Sequence, residues 1–252
     1  MVGLDNPDVE LDILYEINGL ASRLPDWGRS FVSFVGEYGI PVGLVLLVVL
    51  GWLLVRRRPD APAAVAGVLW AGAAAGVARL VNIPISEFVA RPRPFVDHPD
   101  LVVLVEGKHG WSFVSDHASA AMAIAVALFL VHRVLGLIAF ALALTQGFAR
   151  VFVAVHYPTD VVGGFALGMA VALLLAPLAM AALTPLVRVV SSSRGFGWLA
   201  AAPSAPGAAS APAAPSAPGQ AAGVPAAGGG AAADRPEPRP APSAPSGSGV
   251  AA

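Results

Sequence analysis

Three short polar clusters separate the long apolar stretches of this chain: Arg91-Pro92-Arg93-Pro94, Ser115-Asp116-His117, and Arg150 with His156 and Asp160. Charged and ionisable side chains at the ends of apolar segments are costly unless they bind or react. Arginines hold phosphate through a planar fork of donors, and a histidine beside a carboxylate makes an oriented nucleophile. The chemistry these types suit is phosphoryl transfer without a metal or a cofactor.

The third cluster is the most informative. Arg150 closes one apolar run, and Pro158 suits the first turn of the next helix, where its missing N–H costs nothing. Asp160 then falls in that turn, about one turn beyond His156. A carboxylate there can accept the Nδ1–H of His156 and leave Nε2 free to attack. The competing reading is an interfacial histidine and a helix-start aspartate with no joint role. In the second cluster Ser115 suits an N-cap, its helix-start amides face an anion, and His117 is placed as general acid or base. Capping with an incidental histidine is the alternative there. In the first, each proline stiffens the chain and drives the preceding arginine out of helix, presenting Arg91 and Arg93 to a phosphate. A membrane-anchoring arginine pair is the alternative. The conjunction of the three clusters favours the phosphate readings.

Composition says what must position them. The chain has 252 residues, 56% hydrophobic and 12% charged, about half the charge of a soluble domain. A net charge of -1 gives no case for nucleic acid, and the absence of cysteine excludes disulfides and thiolate metal sites. Residues 1–16 carry five acids and no base, the reverse of a signal peptide's start. Residues 8–24 pattern as an amphipathic helix, with a similar short piece at 26–36. Charge-poor runs at 38–55, 61–78, 118–131, 134–149 and 161–187 predict five spans, the third and fourth extended to Ser115 and Arg150. The fold expected is an all-α polytopic membrane helix bundle of about five spans plus an N-terminal amphipathic helix. Its divisions are an interfacial segment at 1–37, a membrane domain at 38–190 and an Ala/Pro/Ser/Gly-rich tail at 191–252, expected to be disordered. Arg56-Arg57-Arg58, His132-Arg133, Arg188 and Arg194 share one side, which the positive-inside rule makes cytoplasmic. The polar clusters then face the extracytoplasmic side of a multi-pass cell-membrane protein, with the tail in the cytoplasm.

The order Arg-Pro, Ser-x-His, Arg-x5-His-x3-Asp resembles the type 2 phosphatidic acid phosphatase superfamily over about residues 8–185, and within it the bacitracin-resistance type of undecaprenyl-diphosphatase. The resemblance implies that His156 is the nucleophile, forming a phosphohistidine, and that Asp160 orients it. His117 protonates the leaving group and then activates water, while Arg93, Arg150 and Ser115 hold phosphate. Asp116 fits the diphosphatase subgroup and joins Arg91 among the phosphate-side residues. Four positions depart from the usual pattern: Ser86 stands for a lysine, Val114 for a proline, Asp116 for a glycine and Ala149 for a serine. Arg91 or Lys108 are the candidates to replace the lost cation.

The reading that follows is a membrane hydrolase taking the terminal phosphate from undecaprenyl diphosphate, an isoprenoid lipid diphosphate of cell-wall synthesis. Its partners are that substrate and membrane lipid, with no nucleic acid, metal or cofactor. The alternatives are a phosphatidic acid or phosphatidylglycerol phosphate phosphatase, a lipid phosphotransferase, and a non-catalytic phosphate-lipid binding protein or transporter.

Overall fold

Patterning along the chain resolves into nine α-helices and one π-helical turn among the described residues, 7–105 and 107–200 of a computed structural model; no strand occurs among them. Helix α1 (Pro7–Arg23) buries Leu14 and Ala21. Asn18 ties it down, its Nδ2 donating to the carbonyls of Val102 and Phe152 at 2.9 Å. After Pro25, α2 (Asp26–Phe34), a π turn (Val35–Gly39) and α3 (Ile40–Val55) run on as one apolar helix of 30 residues. The predicted short piece at 26–36 and the first span are therefore continuous, and the 37/38 division falls inside a helix. The outer face of α3 is apolar and exposed, with Val45, Leu46, Leu50 and Leu54 among its residues, as a lipid-facing helix requires.

Helix α4 (Ala61–Val89) outruns the span expected at 61–78 and carries Arg79, Asn82 and Ser86 in its last third. It stops where Ala90 turns left-handed (φ 49°), ahead of the stiff Arg91-Pro92-Arg93 segment and the short α5 (Pro94–Asp97). Helix α6 (Asp116–Val131) is the hub, packed against α4, α7 (Arg133–Phe152) and α8 (Pro158–Leu174). Ala118, Ser119 and Ala121 to Leu128 are buried, so α6 is enclosed on nearly every face, as a central helix must be. Small residues set the packing distance: a Cβ at Gly168 of α8 would lie 2.2 Å from the Ser119 carbonyl, and one at Gly164 would lie 2.8 Å from that of Ser115. That approach seats the start of α8 on the start of α6.

Helices 26–55, 61–97 and 133–152 are long and apolar enough to cross a membrane. Helices α8 and α9 (Ala176–Ser192) make a fourth span if their 52° break is counted as one. Helix α6, with 16 residues, is shorter than the usual ~17–25 of a span. The five apolar units of the sequence are all present, the fifth broken at Leu175. Beyond α9 the chain folds back on α3: Trp52 Nε1 donates to the Leu199 carbonyl at 3.1 Å, and the Trp52 and Trp198 rings meet edge-on at 5.5 Å. Of the tail expected to be disordered from 191 on, residues 191–200 form the end of α9 and this return onto α3; the rest, 201–252, lies outside the described residues.

Candidate active site

The ends of α4, α6, α7 and α8 that carry the three polar clusters converge, and Arg79, Arg93, Asp116, His117, Arg150 and His156 line one pocket of about 230 Å³. The α3–α4 connection with Arg56-Arg57-Arg58 lies at the other end, where Arg58 Nη1 reaches the Val131 carbonyl at the close of α6.

His156 sits on the tight turn between α7 and α8, only 6% exposed. Its Nδ1 lies 2.8 Å from the carbonyl of Ser112. A carbonyl can only accept, so Nδ1 carries the proton and Nε2 keeps its lone pair. This differs from the expectation that Asp160 accepts the Nδ1–H: the nearest Asp160 oxygen is 3.8 Å away. Asp160, fully buried, instead accepts from the Ser112 hydroxyl and from the Tyr157 backbone N–H at 2.8 Å, closing a capping box at the start of α8. The carboxylate thus anchors the residue whose carbonyl orients His156 and places a negative charge beside the ring. Burial pushes the His156 imidazole below its ordinary 6.5, against the pull of Asp160 and with the help of the Arg93 cation.

Arg91 does not face the phosphate pocket. Its Nη1 bonds Asp160 at 2.9 Å, its Nη2 bonds Glu10 at 2.6 Å, and its guanidinium lies 3.8 Å over the Tyr157 ring. Asp160, Glu10 and the Tyr157 ring hold it away from the pocket, so it braces the carboxylate. Ser115 likewise stays behind the pocket: it is fully buried, its Oγ caps α6 by accepting from Ala118 N at 3.4 Å, and its N–H bonds the Asp160 carbonyl at 3.0 Å. Arg93 lines the pocket, anchored by the carbonyls of Val155 (3.0 Å) and His109 (3.3 Å). Arg150 is fully buried, with Nη1 on Glu37 at 2.7 Å. Nε and Nη2 of Arg150 and Nε of Arg93 are buried with no partner, although buried donors are rarely left so. Guanidinium groups with unpartnered donors, lining one pocket with an unprotonated imidazole nitrogen, are the parts of an anion-binding, nucleophilic site.

Several residues here carry no motif. Glu37 bonds Arg150 and Lys108 (2.5 Å) and approaches His117 Nε2 at 3.9 Å. Its signal in the sequence is isolation, as the one charge between Arg29 and Arg56. Arg79, another lone charge in an apolar run, pairs with Asp116 at 3.6 Å. Asn82 Nδ2 donates to Asp116 Oδ1 at 2.6 Å and to the Val114 carbonyl at 2.9 Å, while its Oδ1 accepts from Val114 N at 3.3 Å. A proline at 114 could not give that last bond, so Val114 and Asn82 go together. Ala149 packs against the π turn, where a Cβ at Gly36 would already lie 2.9 Å from its own. Ser86 does line the pocket, so the missing lysine leaves a real gap in its cations; of the two candidates to fill it, Lys108 lines the pocket and Arg91 does not.

Helical packing, a buried His–carboxylate pair and converging arginines at one end of an apolar bundle define a membrane phosphoryl-transfer protein. Residues 67–183 match the PAP2 superfamily. Undecaprenyl-diphosphatase BcrC of Bacillus subtilis is 31% identical over 145 residues, 58% of this chain and 72% of that protein. Decaprenylphosphoryl-5-phosphoribose phosphatase of Mycobacterium tuberculosis is 37% identical over 142 residues, 56% of this chain and 72% of that one. A transmembrane PAP2-type phosphatidylglycerolphosphate phosphatase of Bacillus subtilis shares the fold, with a TM-score of 0.50 at 23% identity over 71% of this chain and 89% of that one. The chain belongs to the PAP2 superfamily, as a membrane lipid phosphatase. The family resemblance carried by the three motifs is borne out.

Proposed function

We propose that the protein removes the terminal phosphate of undecaprenyl diphosphate, releasing undecaprenyl phosphate and orthophosphate at the extracytoplasmic face and so recycling the lipid carrier of wall synthesis. The observation that carries the chemistry is the Ser112 carbonyl on His156 Nδ1, which leaves Nε2 unprotonated beside unpartnered arginine donors. Nε2 attacks the terminal phosphorus, the bond to the bridging oxygen breaks, and His117 gives its proton to that oxygen as the lipid phosphate departs. Water then attacks the phosphohistidine, His117 takes its proton, and the P–N bond breaks to release orthophosphate and restore His156. Arg93 and Arg150 stabilise the charge on the transferring group. The basic Arg56-Arg57-Arg58 end supports a cytoplasmic assignment for the opposite face.

The substrate reading leans on the likeness to BcrC and on Asp116 in the second motif. A second reading, a monoester on a polyprenyl-phosphate sugar, is favoured by the 37% identity to the mycobacterial phosphoribose phosphatase. Phosphate release by the purified protein, with chelator present, from undecaprenyl diphosphate, a polyprenylphosphoryl-5-phosphoribose and phosphatidic acid decides between them. The proposal expects the highest kcat/KM on the diphosphate; a preference for either monoester overturns it.

A further inference from the structure

Arg79 is a cation where none is expected from the motifs, on a membrane-crossing helix. It lies ten residues before the end of α4, about 15 Å along the axis, and a charge within an apolar span is costly unless it has a function. Its one charged partner among the described residues is Asp116, at 3.6 Å and outside hydrogen-bond distance. Asp116 is already committed to Asn82 at 2.6 Å. The Arg79 side chain is 60% exposed.

Its place is specific. Arg79, Asn82 and Ser86 recur at helical spacing on the face of α4 that borders the reaction pocket. Arg79, Asp116 and His117 also border a second, apolar cavity of about 190 Å³ between α3 and α6, walled by Pro41, Leu44, Val45 and Ile124. Arg79 therefore stands where the phosphate pocket opens into an apolar groove. A substrate with its reacting phosphate at His156 and its hydrocarbon in that groove passes its connecting group beside Arg79. In a monoester that group is a neutral ester oxygen and carbon. In a diphosphate it is a second, anionic phosphate.

Resting on the diphosphatase reading above, we propose that Arg79 binds the lipid-proximal phosphate of a lipid diphosphate and sets the preference for diphosphates over monoesters. The cation missing at Ser86 is thereby displaced two turns along the same helix face, away from the phosphate that reacts and toward the one that stays on the lipid.

The test compares wild type, Arg79→Gln and Arg79→Lys in two assays. The first is kcat/KM on undecaprenyl diphosphate and on phosphatidic acid. A lost charge-assisted hydrogen bond predicts that Arg79→Gln lowers the diphosphate value about ten- to hundredfold more than the monoester value, with Arg79→Lys in between. The second is competitive inhibition by inorganic pyrophosphate and by orthophosphate, which does not depend on which lipid is turned over. The pyrophosphate-to-orthophosphate affinity ratio should fall at least about tenfold in Arg79→Gln. Equal losses on both lipids with an unchanged inhibitor ratio would make Arg79 a structural partner of Asp116 and overturn the proposal. A wild type inactive on undecaprenyl diphosphate would sink the diphosphatase reading; the inhibitor ratio would still decide the phosphate site.

Discussion

Changing Asp160 to asparagine separates two jobs that an aspartate beside a catalytic histidine can do. If the carboxylate held the Nδ1–H itself, amidation would disturb the tautomer, a change that costs about 10⁴-fold in serine proteases. Here the Ser112 carbonyl holds that proton at 2.8 Å, and Asp160 stands 3.8 Å off. Its direct contribution is then its charge. At an effective dielectric of about 20, a unit charge at that separation is worth about 4 kcal/mol against a full positive charge on the ring. With about half of that charge developed at the transition state, the loss is about 2 kcal/mol, or about thirtyfold in kcat. Some stability goes too: Oδ2 alone accepts from both Tyr157 N and the Ser112 hydroxyl, so an asparagine oxygen placed there turns the NH₂ toward Arg91 Nη1, and the lost charged hydrogen bond costs about 1.5–3 kcal/mol. KM should move little, since Asp160 does not line the pocket. Steady-state turnover of undecaprenyl diphosphate by Asp160→Asn, with its melting temperature measured alongside, checks this. A loss of about 10⁴-fold or more in a folded variant would refute the carbonyl-held tautomer, and an unchanged kcat would refute the electrostatic role.

His156→Ala should abolish turnover and phosphoenzyme trapping while the protein still inserts and extracts normally; retained activity would remove the phosphohistidine. Because burial holds His156 below 6.5, its neutral form persists into mild acid, so the acid limb of kcat/KM should fall below 6.5. Arg93→Gln should move that limb upward, since a cation that disfavours the protonated ring is gone. Cysteines introduced near Lys108 should react with an impermeant thiol reagent in intact cells and cysteines near Arg57 should not; the reverse pattern would reverse the topology. Truncation after Arg194 should melt lower than truncation after Ala200, because only the former loses the Trp52–Trp198 contact; at about 1 kcal/mol this amounts to about 2–4 °C, read by thermal unfolding in detergent.

Much of this architecture is legible in the residues because lipid leaves few options. Apolar runs must become helices, and the polar clusters between them had to gather at the same end once the spans alternated. His156, His117, Arg93 and Arg150 could be placed together for that reason. Arg91 and Ser115 could not be assigned correctly, because their positions depend on partners distant in sequence. Glu10 draws Arg91 behind Asp160 across 81 residues, and the α6 start takes the Ser115 hydroxyl for its own cap. Ser112 was invisible for another reason: it acts through its backbone carbonyl, which every residue has. Glu37 and Arg79 left a readable trace, a solitary charge in an apolar run, but motif spacing points elsewhere.

The π turn at Val35–Gly39 has a consequence for how this chain tolerates change. A π turn holds one residue more than the α-helix would, and one residue is about 100° of rotation. Everything before it is therefore out of phase with the membrane helix after it, and the wedge is locked in place: Gln146 takes the Gly36 carbonyl at 2.8 Å, while Gly36 itself leaves no room for a Cβ against Ala149 and Arg150. Deleting a single residue between Phe34 and Ile40 would let the helix wind regularly. It would also swing α1 and α2 about 100° around the α3 axis, carrying Glu10 away from Arg91 and Glu37 away from Arg150. In a loop such a deletion would be absorbed within a few residues; here it acts like a slipped gear tooth, and its effect is felt at both ends of the shaft.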